Sequence, residues 1–159
     1  MKIKIILIGQ IKESFWREGA AEYLKRLKPY TQIELISVPD EAFPEGITPG
    51  QIQAVLRLEG ERARREIPPG SFIVALDRQG QQFSSEGIAS WLGKRTLAGQ
   101  SHFTFVIGGT LGLDQELLNE SSLRLSLSTL TFPHQMVPLL LLEQIYRAFK
   151  IIRNEPYHR

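Results

Sequence analysis

The chain has 159 residues, of which 42% are hydrophobic and 23% charged, a length and balance that suit one globular domain and exclude disordered and fibrous classes. It contains no cysteine, which removes thiolate nucleophiles, disulfides and cysteine-bound metal centres together, and no metal is expected. The formal net charge is +2, a small excess that permits an acidic partner without demanding one.

Five short apolar runs alternate with segments of helical period, which predicts an α/β domain with a mostly parallel sheet sandwiched by helices. The first run, residues 3–8, contains only four consecutive apolar residues from Ile5, too few for a signal segment. A helix follows to Leu27, with Ser14 as its cap, Phe15, Ala20, Tyr23, Leu24 and Leu27 on one side, and Pro29 ending it. The second strand is expected over 33–38. Residues 39–50 carry three prolines and two glycines and read as a loop. The densely charged helix expected over 51–66 balances Arg62, Arg64 and Arg65 against Glu59, Glu61 and Glu66 on a solvated face.

A third strand is expected over 72–76, then a turn at Asp77, and a helix begun by Ser84, Ser85 and Glu86 and reaching Leu97. The fourth and fifth strands are expected over 103–107 and 123–127. A last helix starts near His134 with Pro133 and Pro138 in its opening turns, where proline is tolerated. Leu142, Ile145, Phe149 and Ile152 form one stripe, while Leu139, Leu140 and Leu141 widen the apolar surface, so burial against the sheet and against a second copy of the chain are both open. The run 136–142 is interrupted by Pro138 and stopped by Glu143, far short of the ~20 residues of a membrane span. A cytoplasmic protein without a membrane partner is expected.

In open α/β sheets ligands lie beyond the carboxyl ends of the strands. Three loops here fit that position. At the first, Asp77 either orients a ligand or makes a strand-end turn. The second, Ile107-Gly108-Gly109-Thr110-Leu111-Gly112, lacks both the GxGxxG spacing and a P-loop lysine, so it suits a backbone-lined adenosine site better than a phosphate cradle. In the third, Ser128, Thr129 and Thr131 leave main-chain groups available and Leu130 and Phe132 can pack on a flat ring. Arg147, Lys150 and Arg153, with the tail 154–159, form a cationic and aromatic end that suits either RNA contact or a solvated helix terminus.

FVIGGTLGL (105–113), LSLSTLTFPHQM (125–136), EQIYRAFKI (143–151) and the terminal PYHR (156–159) closely resemble the RlmH family, the pseudouridine N3-methyltransferases of large-subunit ribosomal RNA, within the SPOUT superfamily. The resemblance covers the whole chain, 1–159. It implies a homodimeric, S-adenosylmethionine-dependent enzyme with a C-terminal trefoil knot, acting on 23S rRNA within the ribosome. A knot is something that pattern rules alone would reject. By matching position it implies cofactor contacts at Leu76, Gly108, Leu127, Ser128, Thr129, Leu130, Thr131 and Phe132. Catalytic roles fall to His134, Arg153, Tyr157 and His158 and an RNA contact to Arg159, with Arg147 and Lys150 of the cationic helix end expected to join it on RNA. One position departs from the family: Pro138 stands where its members usually have arginine.

For the reaction so implied, His134 or His158 would accept the N3 proton and Arg153 would stabilise the negative oxygen that develops. The other role for His134 is to brace the helix start, and for His158 to contact phosphate. Two rival readings are a non-catalytic ribosome-binding factor that keeps the fold and a small-molecule nucleotide enzyme of flavodoxin or Rossmann type. The first would tolerate loss of the glycine loop, and the second leaves the tail without a purpose.

Overall fold

The computed structural model describes residues 1–158. Strand β1 (Lys2–Ile8) lies between β2 (Gln32–Val38) and β4 (His102–Ile107), while β3 (Phe72–Gln82) separates β4 from β5 (Leu123–Ser126). Every pairing in this β2-β1-β4-β3-β5 sheet is parallel, so each connection must cross over, and helices cover both faces. The side-chain period of two sorts the core. Ile3, Ile5, Leu7, Phe103, Phe105 and Ile107 point to the side of α1 (Ser14–Leu27), α3 (Ser85–Leu97) and α5 (Val137–Ile152). Ile6, Ile8 and Val106 meet the other pair, α2 (Pro49–Arg65) and α4 (Gln115–Glu120), through Ala63 and Leu117. The sandwiched parallel sheet expected from the apolar runs is the architecture observed.

Several local expectations need correction. Ser14 does not cap α1; the position before the helix is Glu13, which makes no side-chain cap. Instead Gln135 Oε1 accepts from the amides of Lys12 and Glu13 at 2.6 and 3.1 Å, tying the start of α1 to the loop before α5. Phe15 is 58% exposed and leans on Trp16 rather than on the core. Helix α2 begins at Pro49, because Thr48 and Gln51 form a capping box and a proline without an N–H fits the first turn. Helix α5 begins at Val137 rather than His134, with Pro138 buried in its first turn, and Ile152, 45% exposed, overhangs the stripe.

Strand β3 also runs past the expected turn. Leu76 and Gln81 both register with Leu125, so residues 77–80 loop out as a bulge. Gly80 is required there, since a Cβ would lie 2.6 Å from the Arg124 carbonyl.

The charged face of α2 is not simply solvated. Arg62 bonds the Pro39 carbonyl and the Glu41 carboxylate, and only Arg65 of the three arginines is exposed. Arg64 reaches Asp114 at 2.7 Å, Glu116 at 3.1 Å and Glu120 at 3.0 Å, holding α4 against α2. Because Asp114 is buried, truncating its cation leaves an uncompensated carboxylate. Arg64→Ala is expected to cost about 2 kcal/mol, read from urea unfolding; a change within experimental error would show that α4 docks through Leu117 alone.

Candidate active site

The bulge of β3 and the loops leaving β4 and β5 converge around a cleft of about 520 Å³, within the range of small-molecule sites. Its walls are mostly apolar: Leu76, Leu113, Leu118, Leu125, Leu127 and Val137. The rest of the lining comes from Asp77 and Arg78, residues 107–112, Ser128, Leu130, Thr131, Phe132 and His134.

The glycine loop is shaped by exclusion. A Cβ on Gly108 would sit 2.5 Å from the Gly112 carbonyl oxygen, and Gly112 itself has φ +89°, a conformation L side chains rarely adopt. The Gly112 amide donates to the Gly109 carbonyl at 3.1 Å, closing a tight turn whose backbone forms the cleft floor. The loop after β5 is folded by its own hydroxyls: Ser126 Oγ donates to the Ser128 carbonyl at 3.1 Å, and Ser128 Oγ accepts from the Leu130 amide at 3.0 Å. Leu130 is left 67% exposed at the rim. Arg78 Nη1 donates to Thr131 Oγ1 at 2.7 Å, joining two of the three loops, while Asp77 accepts from the Gln79 amide at 3.0 Å and so makes the turn.

His134 lines the same cleft and packs beside Gly9, where a Cβ would lie in ordinary contact, 3.6 Å from His134 Nε2 and 3.8 Å from the Asp40 carboxyl carbon.

The tail lies elsewhere in its own chain. Asn154 takes φ +57°, a left-handed position that asparagine tolerates, and turns the backbone off α5. Tyr157 then shares a 3.1 Å hydrogen bond with Tyr23 and donates to Glu143 at 3.0 Å. Burial, together with those two contacts, pushes its phenol well above the ordinary tyrosine range, so it keeps its proton. His158 Nε2 donates to Glu86 at 2.7 Å while its Nδ1 accepts from Arg147 at 3.3 Å. A second cleft beside these contacts is lined by Tyr23, Ser84, Leu139, Leu140, Glu143 and Arg147, and it shares Leu127 and Phe132 with the first.

The model of a family described as Predicted SPOUT methyltransferase matches residues 1–158. The chain belongs to the SPOUT methyltransferase family. Two SPOUT relatives named Ribosomal RNA large subunit methyltransferase H align over the full length of both proteins. That of Carboxydothermus hydrogenoformans is 50% identical and that of Symbiobacterium thermophilum 49%. Among solved structures, a probable methylase family protein from Haemophilus influenzae superposes with a TM-score of 0.54 at 16% identity, covering 99% of this chain and 70% of its own, which shows the fold. SPOUT membership implies the C-terminal trefoil knot.

In this SPOUT chain the expected cofactor positions Leu76, Gly108, Leu127, Ser128, Leu130, Thr131 and Phe132 all line the first cleft, and Thr129 lies outside it. His134 is the one expected catalytic side chain at that cleft. Arg153 stacks over Tyr30 at 4.5 Å, and Tyr157 and His158 sit on the far side of α5 beside α1 and α3. Arg147 is paired with Glu143, and Lys150 with Glu155 at 2.7 Å, a contact that raises the lysine further. Arg159 lies outside the described residues. Sequence reasoning missed Leu118 and Val137; Leu118 belongs to α4, a helix too short to show a period.

The tail clasp has a pH signature. Its own helix-start amide, then His158 and Ser84, hold the Glu86 carboxyl down at about 2, from an ordinary 4.5. A depressed carboxylate contributes above its unfolded value and loses that contribution as pH falls through the folded one. Only the His158 share of that depression belongs to the tail, so tail docking, followed by tyrosine fluorescence, is expected to hold from neutral pH through about 4.5 and to weaken only as pH falls on towards about 2. Glu86→Gln should remove that acid limb; an identical limb in the variant would place the titration elsewhere.

Proposed function

We propose that the chain is one methyltransferase domain over 1–159, a cytoplasmic homodimer that uses S-adenosylmethionine to methylate N3 of a pseudouridine in 23S ribosomal RNA of the large subunit. The observation that carries this reading is the cleft between the bulge of β3 and the loops leaving β4 and β5, floored by a glycine turn that has no space for a side chain at Gly108. Main-chain groups there match the needs of an adenosyl ligand, and two full-length relatives carry names of large-subunit RNA methyltransferases. The volume and the absent Cβ fit such a ligand.

S-adenosylmethionine, when bound, supplies an electrophilic methyl group. Leu76, the Gly108 turn and residues 127–132 would hold it. The chain's remaining task is to align the attacking nitrogen and to handle one proton. His134, at the cleft wall, takes the N3 proton. Its rival, His158, has Nδ1 occupied by Arg147 and Nε2 donating to Glu86, so within its own chain it has no free lone pair. Arg153, His158 and Tyr157 act at the cleft of the second copy, where Arg153 stabilises the developing oxyanion and Tyr157, protonated, acts as a donor. Arg147, Lys150 and Arg159 contact RNA phosphates, the first two by exchanging the carboxylates of Glu143 and Glu155. Support for the dimer comes from Leu130 and Phe15, both more than half exposed, and from Leu139 and Leu140, which line the second cleft.

Two experiments test the reading. Mass analysis of ribosomal RNA from cells lacking the protein should show one modified uridine without its methyl group. A net charge of +2 neutralises few phosphates, so assembled particles should be methylated faster than naked RNA; equal rates would contradict recognition of a preformed particle. The non-catalytic alternative gives the glycine turn no role.

A further inference from the structure

Glu59 is the buried carboxylate that neither the fold nor the proposed reaction has used. It projects from α2 and is 3% exposed, whereas the other acid of that helix, Glu61, pairs with Arg57. Its Oε1 accepts from the Glu41 amide at 2.9 Å. Its Oε2 has no hydrogen-bond partner among the described residues, and such an orphan costs free energy unless something compensates. Both oxygens lie directly behind the glycine turn: a Cβ on Gly109 would sit 3.7 Å from each. Gly109, which lines the cleft, therefore presents no side chain towards the carboxylate, and the Ile8 side chain packs at the same place, its Cγ2 3.4 Å from that Cβ position.

The neighbouring charges leave this place negative. From the loop between β2 and α2 come Asp40, exposed beside Gly9, and Glu41. From α2 itself comes Arg62, which is spent on Glu41 and the Pro39 carbonyl. At the next residue of α2, Gly60, Asp114 packs closely but is paired with Arg64. Desolvation, reinforced by Asp40 and opposed by the Glu41 amide and more weakly by Arg62, pushes the Glu59 carboxyl above the ordinary range.

We infer that Glu59 is a positioning residue that makes the cleft prefer a cationic sulfonium ligand over its neutral thioether product, acting through the thin glycine floor. The inference rests on the methyl-donor reading of the cleft. Charge held in a poorly screened layer acts over longer distances than in water, so a fixed anion behind the floor favours the donor before transfer and loses its hold once the methyl and its positive charge have gone. The buried orphan oxygen thereby acquires its compensating charge only when donor is bound.

Calorimetry with S-adenosylmethionine and with S-adenosylhomocysteine tests this. Glu59→Gln keeps the shape and the acceptor for the Glu41 amide, so it should lower donor affinity by roughly threefold to tenfold and leave product affinity unchanged. Equal losses for both ligands would mean a purely structural role, and no loss for either would mean no role; both overturn the inference. If the variant does not fold, the wild-type chain supplies the second reading. Its preference for donor over product should narrow as pH is lowered from neutral towards the carboxylate range, and narrow likewise in Asp40→Asn; a constant ratio, or one that becomes constant in Asp40→Asn, overturns it. Failure of the wild type to bind either ligand would instead remove the methyl-donor reading itself.

Discussion

Gly108→Ala is expected to lower methyl-donor affinity by about two orders of magnitude, near 3 kcal/mol, while the sheet stays folded. The atoms an added methyl would meet are the oxygen, carbon and Cα of Gly112, at 2.5, 2.6 and 3.0 Å. All are backbone, so no side chain can rotate away. The turn would have to open, and Gly112 is already in a conformation that depends on its lacking a side chain. Gly99→Ala is the matched control. Gly99 also has positive φ, +91°, but an added Cβ there meets nothing within 4 Å. That substitution at a helix end should cost about 1 kcal/mol of stability and leave donor binding unchanged. Calorimetry on both variants decides the matter, and wild-type affinity in Gly108→Ala would show that the glycine turn is not the floor of a donor site.

How much of this was legible beforehand depends on the range of the interaction. The central strands announce themselves because strands buried on both faces carry continuous apolar runs, such as residues 5–8 and 105–107. The three cleft loops follow from strand direction, since parallel strands end on one side. Features that join distant residues were not legible. Nothing near Gln135 signals that its side chain will bond the amides of Lys12 and Glu13. Asp77-Arg78-Gln79-Gly80 reads as a turn, and whether β3 then stops or resumes at Gln81 depends on β5 offering Leu125 a second time. Glu59 looks like its charged neighbours on α2, and only the packing of the glycine turn above it reveals a buried acid. The tail is a similar case: the composition of residues 154–159 suits RNA contact or a solvated terminus, while Tyr23 and Glu86, far away in sequence, hold Tyr157 and His158 in place.

That placement leads to the second large effect. His134 is at the donor cleft, whereas His158, with Tyr157 beside it, is held on another face by Arg147 and Glu86. If the tail takes part in transfer, the pocket it serves belongs to the second copy. His158→Ala should then slow transfer by about a hundredfold or more, in the range of one lost group that contacts the developing oxyanion, with donor affinity intact. Gly108→Ala should fail for the opposite reason. Mixing the two inactive variants in equal parts and letting subunits exchange distinguishes the arrangements. In a symmetric dimer about half of the molecules become mixed. With a shared site, each mixed dimer pairs the sound turn of one chain with the sound tail of the other, so about a quarter of wild-type activity should return. If each tail serves its own chain, both sites of every mixed dimer keep one defect, and the mixture should remain as inactive as its parts.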